Sequence, residues 1–249
     1  MSSYKILVLG SNGFIGKNIE EFLSEREYIV LCPKRNDLDL LDTKKVYDFI
    51  DTHRPDVVIH TAVNINSLID NLRIYFNLER CSDNFGRMIT IGSGAEYDIK
   101  SYKPMMNEDY FLKNIPSDVY GLSKFIASRD IEKNPRNIIN FRVFGIFGKY
   151  EDYTRRFISN NICRAIGGLG ISMNKNMKFD FLDVNDFLKI LEMFFTRDLK
   201  HANYNICTGK PVEFKEIANI INDVHENGSG KININESGLN PEYSGDNSR

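Results

Sequence analysis

The chain is poor in cysteine and nearly balanced in charge. Cys32, Cys81, Cys163 and Cys207 lie far apart, with no C-x-x-C pair and no Cys/His cluster at ligand spacing. That argues against a disulfide framework and against a zinc site, and reads as reduced thiols in a cytoplasmic protein. Against 34 Asp and Glu stand 32 Lys and Arg, a formal net charge of -2, with no long run of one sign. Neither nucleic acid nor an anionic membrane is therefore expected as a partner. No apolar run approaches the roughly 18 residues of a membrane span. "YKILVLG" follows the first residues without a charged leader and apolar core, so neither insertion nor export is expected. His53, His60, His201 and His225 form no H-x-x-x-H pair, and no metal is expected. "IGSGAEY" is not the G-x-S-x-G elbow of a serine hydrolase, because Gly92 directly precedes Ser93.

The 249 residues, 42% hydrophobic, are enough for one sizeable core or a large domain carrying a smaller one. Short aliphatic runs, "KILVLG", "YIVLC", "PDVVIH", "GRMITIGS" and "NIINFRVFG", alternate with stretches whose apolar residues recur at helical spacing, from "FIGKNIEEFLSE" to "SDVYGLSKFIASRDIEK". Continuous apolar strands in β-α-β-α order predict an α/β fold with a doubly wound parallel sheet of Rossmann type. After residue 146 the rhythm changes. Residues 147–249 are expected to form a smaller C-terminal substrate-binding lobe that partly returns to the sheet of residues 1–146. The stripe "FLKILEMFF" reads as core or subunit interface, and the polar tail "NESGLNPEYSGDNSR" offers no closing helix.

In "KILVLGSNGFIG", Gly10, Gly13 and Gly16 fall at intervals of three, between a strand ending at Leu9 and a helix starting near Phe14. Gly10 permits the sharp turn, Gly13 lets backbone approach a pyrophosphate, and Gly16 lets the helix pack on the sheet, with helix N–H groups facing the anion. At the end of the second strand an acid would take ribose hydroxyls, whereas an arginine accommodates a 2′-phosphate. The chain reads Pro33, Lys34, Arg35 there, with no carboxylate until Asp37. That favours NADP(H), with Arg35 as the planar phosphate partner and NAD(H) as the alternative. Asp42 reads as the N-cap of a helix starting at Thr43.

Further on, "VYGLSK" places Tyr120 and Lys124 on one helix face, and Ser93 ends the fourth strand at the carboxyl edge of the sheet, where doubly wound folds bind ligands. These parts suit carbonyl reduction. The phenol of Tyr120 would give a proton to the developing alkoxide, and Ser93 would hydrogen-bond the same oxygen. The Lys124 ammonium is expected to lower the phenol's pKa.

The three-residue glycine spacing and the set Ser93, Tyr120, Lys124 resemble the extended short-chain dehydrogenase/reductases, the nucleotide-sugar epimerases, dehydratases and reductases. "RNDLDLLDTKKVYDFIDTHRPDVVIHTA" and "FDFLDVNDF" look like blocks of GDP-fucose synthases and dTDP-4-dehydrorhamnose reductases. The resemblance implies a nucleoside-diphosphate sugar as substrate and a homodimer through the Tyr/Lys helix. It implies cofactor contacts at Gly10, Asn12, Gly13, Phe14, Ile15, Gly16, Arg35, Asp39, Leu40, Thr61, Ala62, Tyr120 and Lys124. For the substrate it implies Glu96, Arg155, Lys178 and Arg249, with Arg156 beside Arg155 and Asn64 near the pocket. Departures narrow the reaction. The dehydratases' Asp-Glu pair is Gly94 and Ala95 here, and the epimerising Cys and His of GDP-fucose synthases are Ala95 and Thr154. A second-lobe arginine is Phe179. What remains is an NAD(P)H-dependent reduction of the 4-keto group of a 4-keto-6-deoxy nucleotide sugar. The alternatives are a 4-epimerase and a non-catalytic dinucleotide-sensing protein.

Overall fold

A computed structural model describes residues 4–224 and 231–249; His225 lies outside the described residues. The first half runs β1 (Lys5–Leu9), α1 (Phe14–Ser24), β2 (Ile29–Leu31), α2 (Thr43–His53), β3 (Val57–His60), α3 (Leu68–Glu79), β4 (Arg87–Ser93), α4 (Val119–Lys133) and β5 (Ile138–Val143). The second continues β6 (Gly145–Phe147), α5 (Phe157–Ile166), β7 (Ile171–Phe179), β8 (Phe181–Asp183), α6 (Val184–Met193), β9 (Asn203–Ile206), β10 (Val212–Glu213), α7 (Phe214–Val224) and β11 (Ile232–Tyr243).

Six strands pair in parallel in the order β2-β1-β3-β4-β5-β9. β9 thus brings the chain back from its second half to the edge of the main sheet. The two-residue alternation of strand side chains divides the core. Ile6, Val8, Val57, Ile59, Ile89 and Phe141 face a layer holding Ile19 and Leu23 of α1 and Phe187, Leu188 and Leu191 of α6. Leu7, Leu9, Val58 and Met88 face α2, α3 and α4 through Val46, Ile50, Ile74, Leu78 and Ile131. Both faces are covered, so β1 and β3 are apolar almost throughout, whereas β5 and β9 also bury Asn140, Arg142, Asn203 and Asn205. The apolar stripe of α6 is therefore core. Asp42 caps α2 as expected, accepting from the N–H groups of Lys44 and Lys45. The four cysteines are free thiols, and no helix among the described residues is long and apolar enough to cross a membrane.

The sheet reverses direction of growth between β1 and β3, and this switch point opens a crevice at the strands' carboxyl ends. The polar tail departs from expectation. β11 is a twelve-residue strand that runs parallel to β7, with register shifts between Glu236 and Leu239 and between Asn240 and Tyr243. Most of its side chains are exposed or half-exposed. Its sequence therefore carries no inside/outside alternation from which a strand is read.

Candidate active site

Over the switch point lies a cleft of about 310 Å³, lined by the turn after β1 (Gly10, Ser11, Asn12, Gly13), the segment Pro33–Arg35 and Leu38–Leu41, and Ala62, Val63, Asn64, Asp70 and Ile74. Of the expected cofactor contacts, Gly10, Asn12, Gly13, Arg35, Asp39, Leu40 and Ala62 line it. Phe14, Ile15, Gly16, Thr61, Tyr120 and Lys124 lie outside that lining. Ile15 packs against the core, and the Thr61 hydroxyl donates to the Leu9 carbonyl at 2.8 Å. Gly10 has φ +88, and a Cβ there would stand 2.6 Å from the Ala62 nitrogen; a Cβ on Gly16 would stand 2.2 Å from the Gly10 carbonyl oxygen. The turn and helix are thus nested backbone on backbone. α1 has no side-chain cap and no acid in its first turn. By contrast Asp42, Ser67, Asp118 and Asp183 cap α2, α3, α4 and α6. A glycine turn feeding an uncapped helix fits a pyrophosphate, whose oxygens would take the open N–H groups.

After β2, Asp37, the first carboxylate in the sequence there, accepts from the Lys34 N–H at 3.0 Å and so closes its own turn. Lys34 Nζ is held 2.9 Å from Ser11 Oγ and 3.2 Å from Glu20. Arg35 is exposed. The contribution of Ser11, buried and tied to Lys34, carried no signal in the sequence.

Ser93 closes β4, and its Oγ accepts from the Ala95 N–H at 3.2 Å. Its own N–H donates to Glu96 Oε1 at 3.1 Å. Glu96 was expected to contact substrate, and the structure corrects this. Its side chain is fully buried and ion-paired to Arg142 Nε at 2.6 Å, while Asn140 Nδ2 lies 3.1 Å from both carboxylate oxygens. Every lone pair faces protein, so the carboxylate builds the turn under Ser93. Arg142 also donates to Ser128 Oγ at 2.7 Å and lies over the Phe111 ring at 3.9 Å.

Asp118 caps α4 through the Gly121 N–H at 2.7 Å, which sets Tyr120 in the first turn and Lys124 one turn on. Burial pushes the Tyr120 phenol up; the Ser93 hydroxyl and the Arg156 charge oppose this, and Glu96 and Asp118 reinforce it. The expected lowering by Lys124 is not what governs this phenol, because desolvation dominates. Lys124 Nζ is 6.0 Å from the Tyr120 ring centroid and donates to the Ile91 carbonyl at 2.7 Å. Burial pushes its ammonium down to about 8, with Glu96 opposing. Lys124 borders a second cavity, of about 20 Å³, with His60, Asn71 and Ser123. His60 Nδ1 has no hydrogen-bond partner there, and burial pushes the imidazole down to about 3.

The remaining expected substrate contacts disperse. Arg155 and Lys178 are exposed. Arg249 is paired with Asp109 at 3.2 Å and approaches Glu108 at 3.7 Å, so its guanidinium is already committed. Arg156, at the start of α5, is the arginine whose charge reaches Tyr120. Phe179 stacks on Phe181 and Tyr243 at centroid distances of 4.6 and 4.7 Å, part of an aromatic wall that also holds Tyr102 and Phe144.

A parallel doubly wound sheet, a glycine turn at its switch point and a Ser, Tyr and Lys at the carboxyl edge define the architecture of the short-chain dehydrogenase/reductases. Within it, the profile of the NAD dependent epimerase/dehydratase family matches residues 6–207, and the chain belongs to that family. Among curated proteins it is 27% identical over 179 residues to the GDP-L-colitose synthase of Yersinia pseudotuberculosis, a match covering 62% of this chain and 58% of that protein. The chain thus spans less than two thirds of that relative. Among solved structures it resembles a GDP-mannoheptose C4 reductase from Campylobacter jejuni with NADP bound, at TM-score 0.79 and 19% identity, covering 98% of this chain and 90% of that one. It also resembles the Bordetella bronchiseptica enzyme WbmG in complex with NAD, at TM-score 0.83 and 19% identity, covering 99% and 86%. These neighbours establish the fold.

Proposed function

We propose that the protein is an NADPH-dependent reductase of the 4-keto group of a nucleotide-activated 4-keto-6-deoxy sugar. The observation that carries the reading is the set of Ser93 at the carboxyl end of β4 and Tyr120 and Lys124 one turn apart on α4, with Ser93 among the groups acting on the buried Tyr120 phenol. A bound nicotinamide would supply the hydride. Tyr120 gives the carbonyl oxygen its proton, and Ser93 hydrogen-bonds the same oxygen as charge accumulates on it. The glycine turn holds the pyrophosphate, and Lys34 and Arg35 favour the 2′-phosphate. Arg156, with Arg155 beside it, is our candidate partner for the sugar nucleotide's diphosphate, because its charge reaches Tyr120. Gly94, Ala95 and Thr154 offer no group able to take a proton from carbon, which favours reduction over dehydration or epimerisation at the neighbouring carbons. The named activity of the C. jejuni C4 reductase supports the same direction, and the name of the colitose synthase supports a nucleotide sugar as substrate.

The test is a panel of GDP-, UDP- and dTDP-linked 4-keto-6-deoxy sugars incubated with NADPH or NADH, followed by nicotinamide absorbance and product stereochemistry. Stoichiometric oxidation of the cofactor, abolished by Tyr120→Phe with NADPH still bound, is the expected result. Inversion at C4 without net oxidation would make the protein an epimerase, and dinucleotide binding without turnover would make it a sensor.

A further inference from the structure

Lys34 and Arg35 are the two cations lining the dinucleotide cleft, and they differ in what already holds them. A lysine ammonium carries three N–H donors and no acceptor. One donor of Lys34 reaches Ser11 Oγ at 2.9 Å. Ser11 is buried within the glycine turn, so the ammonium is tethered to the segment read as the pyrophosphate cradle. A second donor reaches Glu20 Oε2 at 3.2 Å. Glu20 belongs to α1, one turn past Gly16, and it lies 14 residues from its partner in sequence. Neither the glycine spacing nor the basic pair after β2 marks it.

Position and charge are thus set by different residues. Ser11 fixes where the ammonium sits, while Glu20 cancels the charge it carries. Together Lys34 and Glu20 offer the cleft one remaining N–H donor and no net charge. The other nearby carboxylates have separate duties: Asp37 accepts the Lys34 N–H, Asp39 the Leu41 N–H at 3.1 Å, and Asp70 an Asn64 Nδ2 donor at 3.0 Å. The 2′-phosphate is the part of NADPH that NADH lacks, so charge placed or cancelled beside it alters affinity for one dinucleotide and spares the other. We propose that Glu20 is a specificity-determining residue of the cofactor site: by neutralising Lys34 in place, it restrains recognition of the 2′-phosphate and keeps NADH usable beside NADPH. The proposal rests on the reading of this cleft as a dinucleotide site.

The experiment compares four forms of the protein by fluorescence titration with NADPH and with NADH: wild type, Glu20→Gln, Lys34→Met and the two substitutions together. Glutamine keeps the size of glutamate and one acceptor oxygen, and the two side chains are 44% and 41% exposed, so each variant folds. The pair is neutral in the wild type, positive in Glu20→Gln, negative in Lys34→Met and neutral again in the double variant. NADPH affinity should follow that charge, rising roughly three- to tenfold in Glu20→Gln, falling by a similar factor in Lys34→Met and returning to within about twofold of wild type in the double variant. NADH affinity should stay within about twofold throughout, and the spread among the NADPH values should contract as salt is added. A Glu20→Gln protein that binds NADPH no tighter than wild type, a double variant that keeps the gain, or an equal movement of NADH would overturn the proposal. A wild type that binds neither dinucleotide would remove the cofactor reading and this proposal with it. Dinucleotide binding without sugar turnover would remove the reductase reading alone, and the four titrations would decide the role of Glu20 as before.

Discussion

Arg142 Nε stands 2.6 Å from Glu96 Oε2, and both side chains are sealed from solvent. They join the carboxyl end of β5 to the turn that presents Ser93, across 46 residues of sequence. A buried pair of this kind is costly to break from one side, because the charge left behind has neither partner nor water. Removing one partner alone typically costs about 3–5 kcal/mol, whereas replacing both with apolar groups of similar size is often near neutral. Urea denaturation should accordingly show Arg142→Met or Glu96→Ala losing stability on that scale and Glu96→Leu/Arg142→Met losing clearly less. A double variant as unstable as the sum of the singles would show that the pair is not acting as a unit.

Arg35 borders the cleft and is exposed, with Asp37 occupied by the Lys34 N–H. Charge-assisted hydrogen bonds to a phosphate contribute about 1.5–3 kcal/mol. Arg35→Glu should therefore weaken NADPH binding by roughly ten- to a hundredfold and leave NADH within a few-fold, as measured by fluorescence titration. Equal losses for both cofactors would remove the arginine from 2′-phosphate recognition.

Lys124 is desolvated, and its ammonium is pushed down to about 8 from the ordinary lysine value of 10.5. Between those values the unfolded chain holds a proton that the fold has released, so this residue makes stability rise as pH rises through the window. Below about 8 both states are protonated and the burial penalty is present in full. Compared with Lys124→Met, the wild type should gain stability between pH 8 and 10.5. A constant difference across that range in parallel urea titrations would show that the ammonium is not desolvated.

The three glycines of the turn should respond differently to one methyl group. A Cβ on Gly16 collides with the Gly10 carbonyl oxygen at 2.2 Å, and one on Gly10 meets the Ala62 backbone at a φ of +88. Gly13 has a single neighbour, the Gly10 carbonyl oxygen at 3.4 Å, which is ordinary contact. Gly13→Ala should keep its melting temperature and lose dinucleotide affinity, while Gly10→Ala and Gly16→Ala should lose both. Thermal melts with and without NADPH separate the two outcomes.

Features set by neighbours in sequence were legible in advance. The capped start of α2, the turn between Leu9 and Phe14 and the one-turn spacing of Tyr120 and Lys124 depend on residues a few positions apart. What escaped was non-local. Glu96 stands three residues from Ser93 and looked like a substrate ligand, because nothing nearby in sequence announces Arg142 as its partner. Tyr243 sits in a stretch rich in Gly, Asn and Ser, and its place beside Gly94 comes from pairing with β7 some sixty residues earlier. The pKa of Tyr120 was misjudged for a related reason: the charges near it are visible in sequence, but the depth of its burial is not.

β11 has β7 as its strand partner, and its ladder is interrupted twice before Tyr243. An edge strand with a broken ladder opens locally at a lower free energy than the central strands of a fully covered sheet. The glycine turn follows β1, which lies between β2 and β3 in that sheet, while the Tyr243 hydroxyl beside Gly94 is carried by the edge strand. Amide exchange and mild denaturant should therefore see two thresholds in one molecule: the aromatic packing against Gly94 is lost first, and the glycine turn outlasts it.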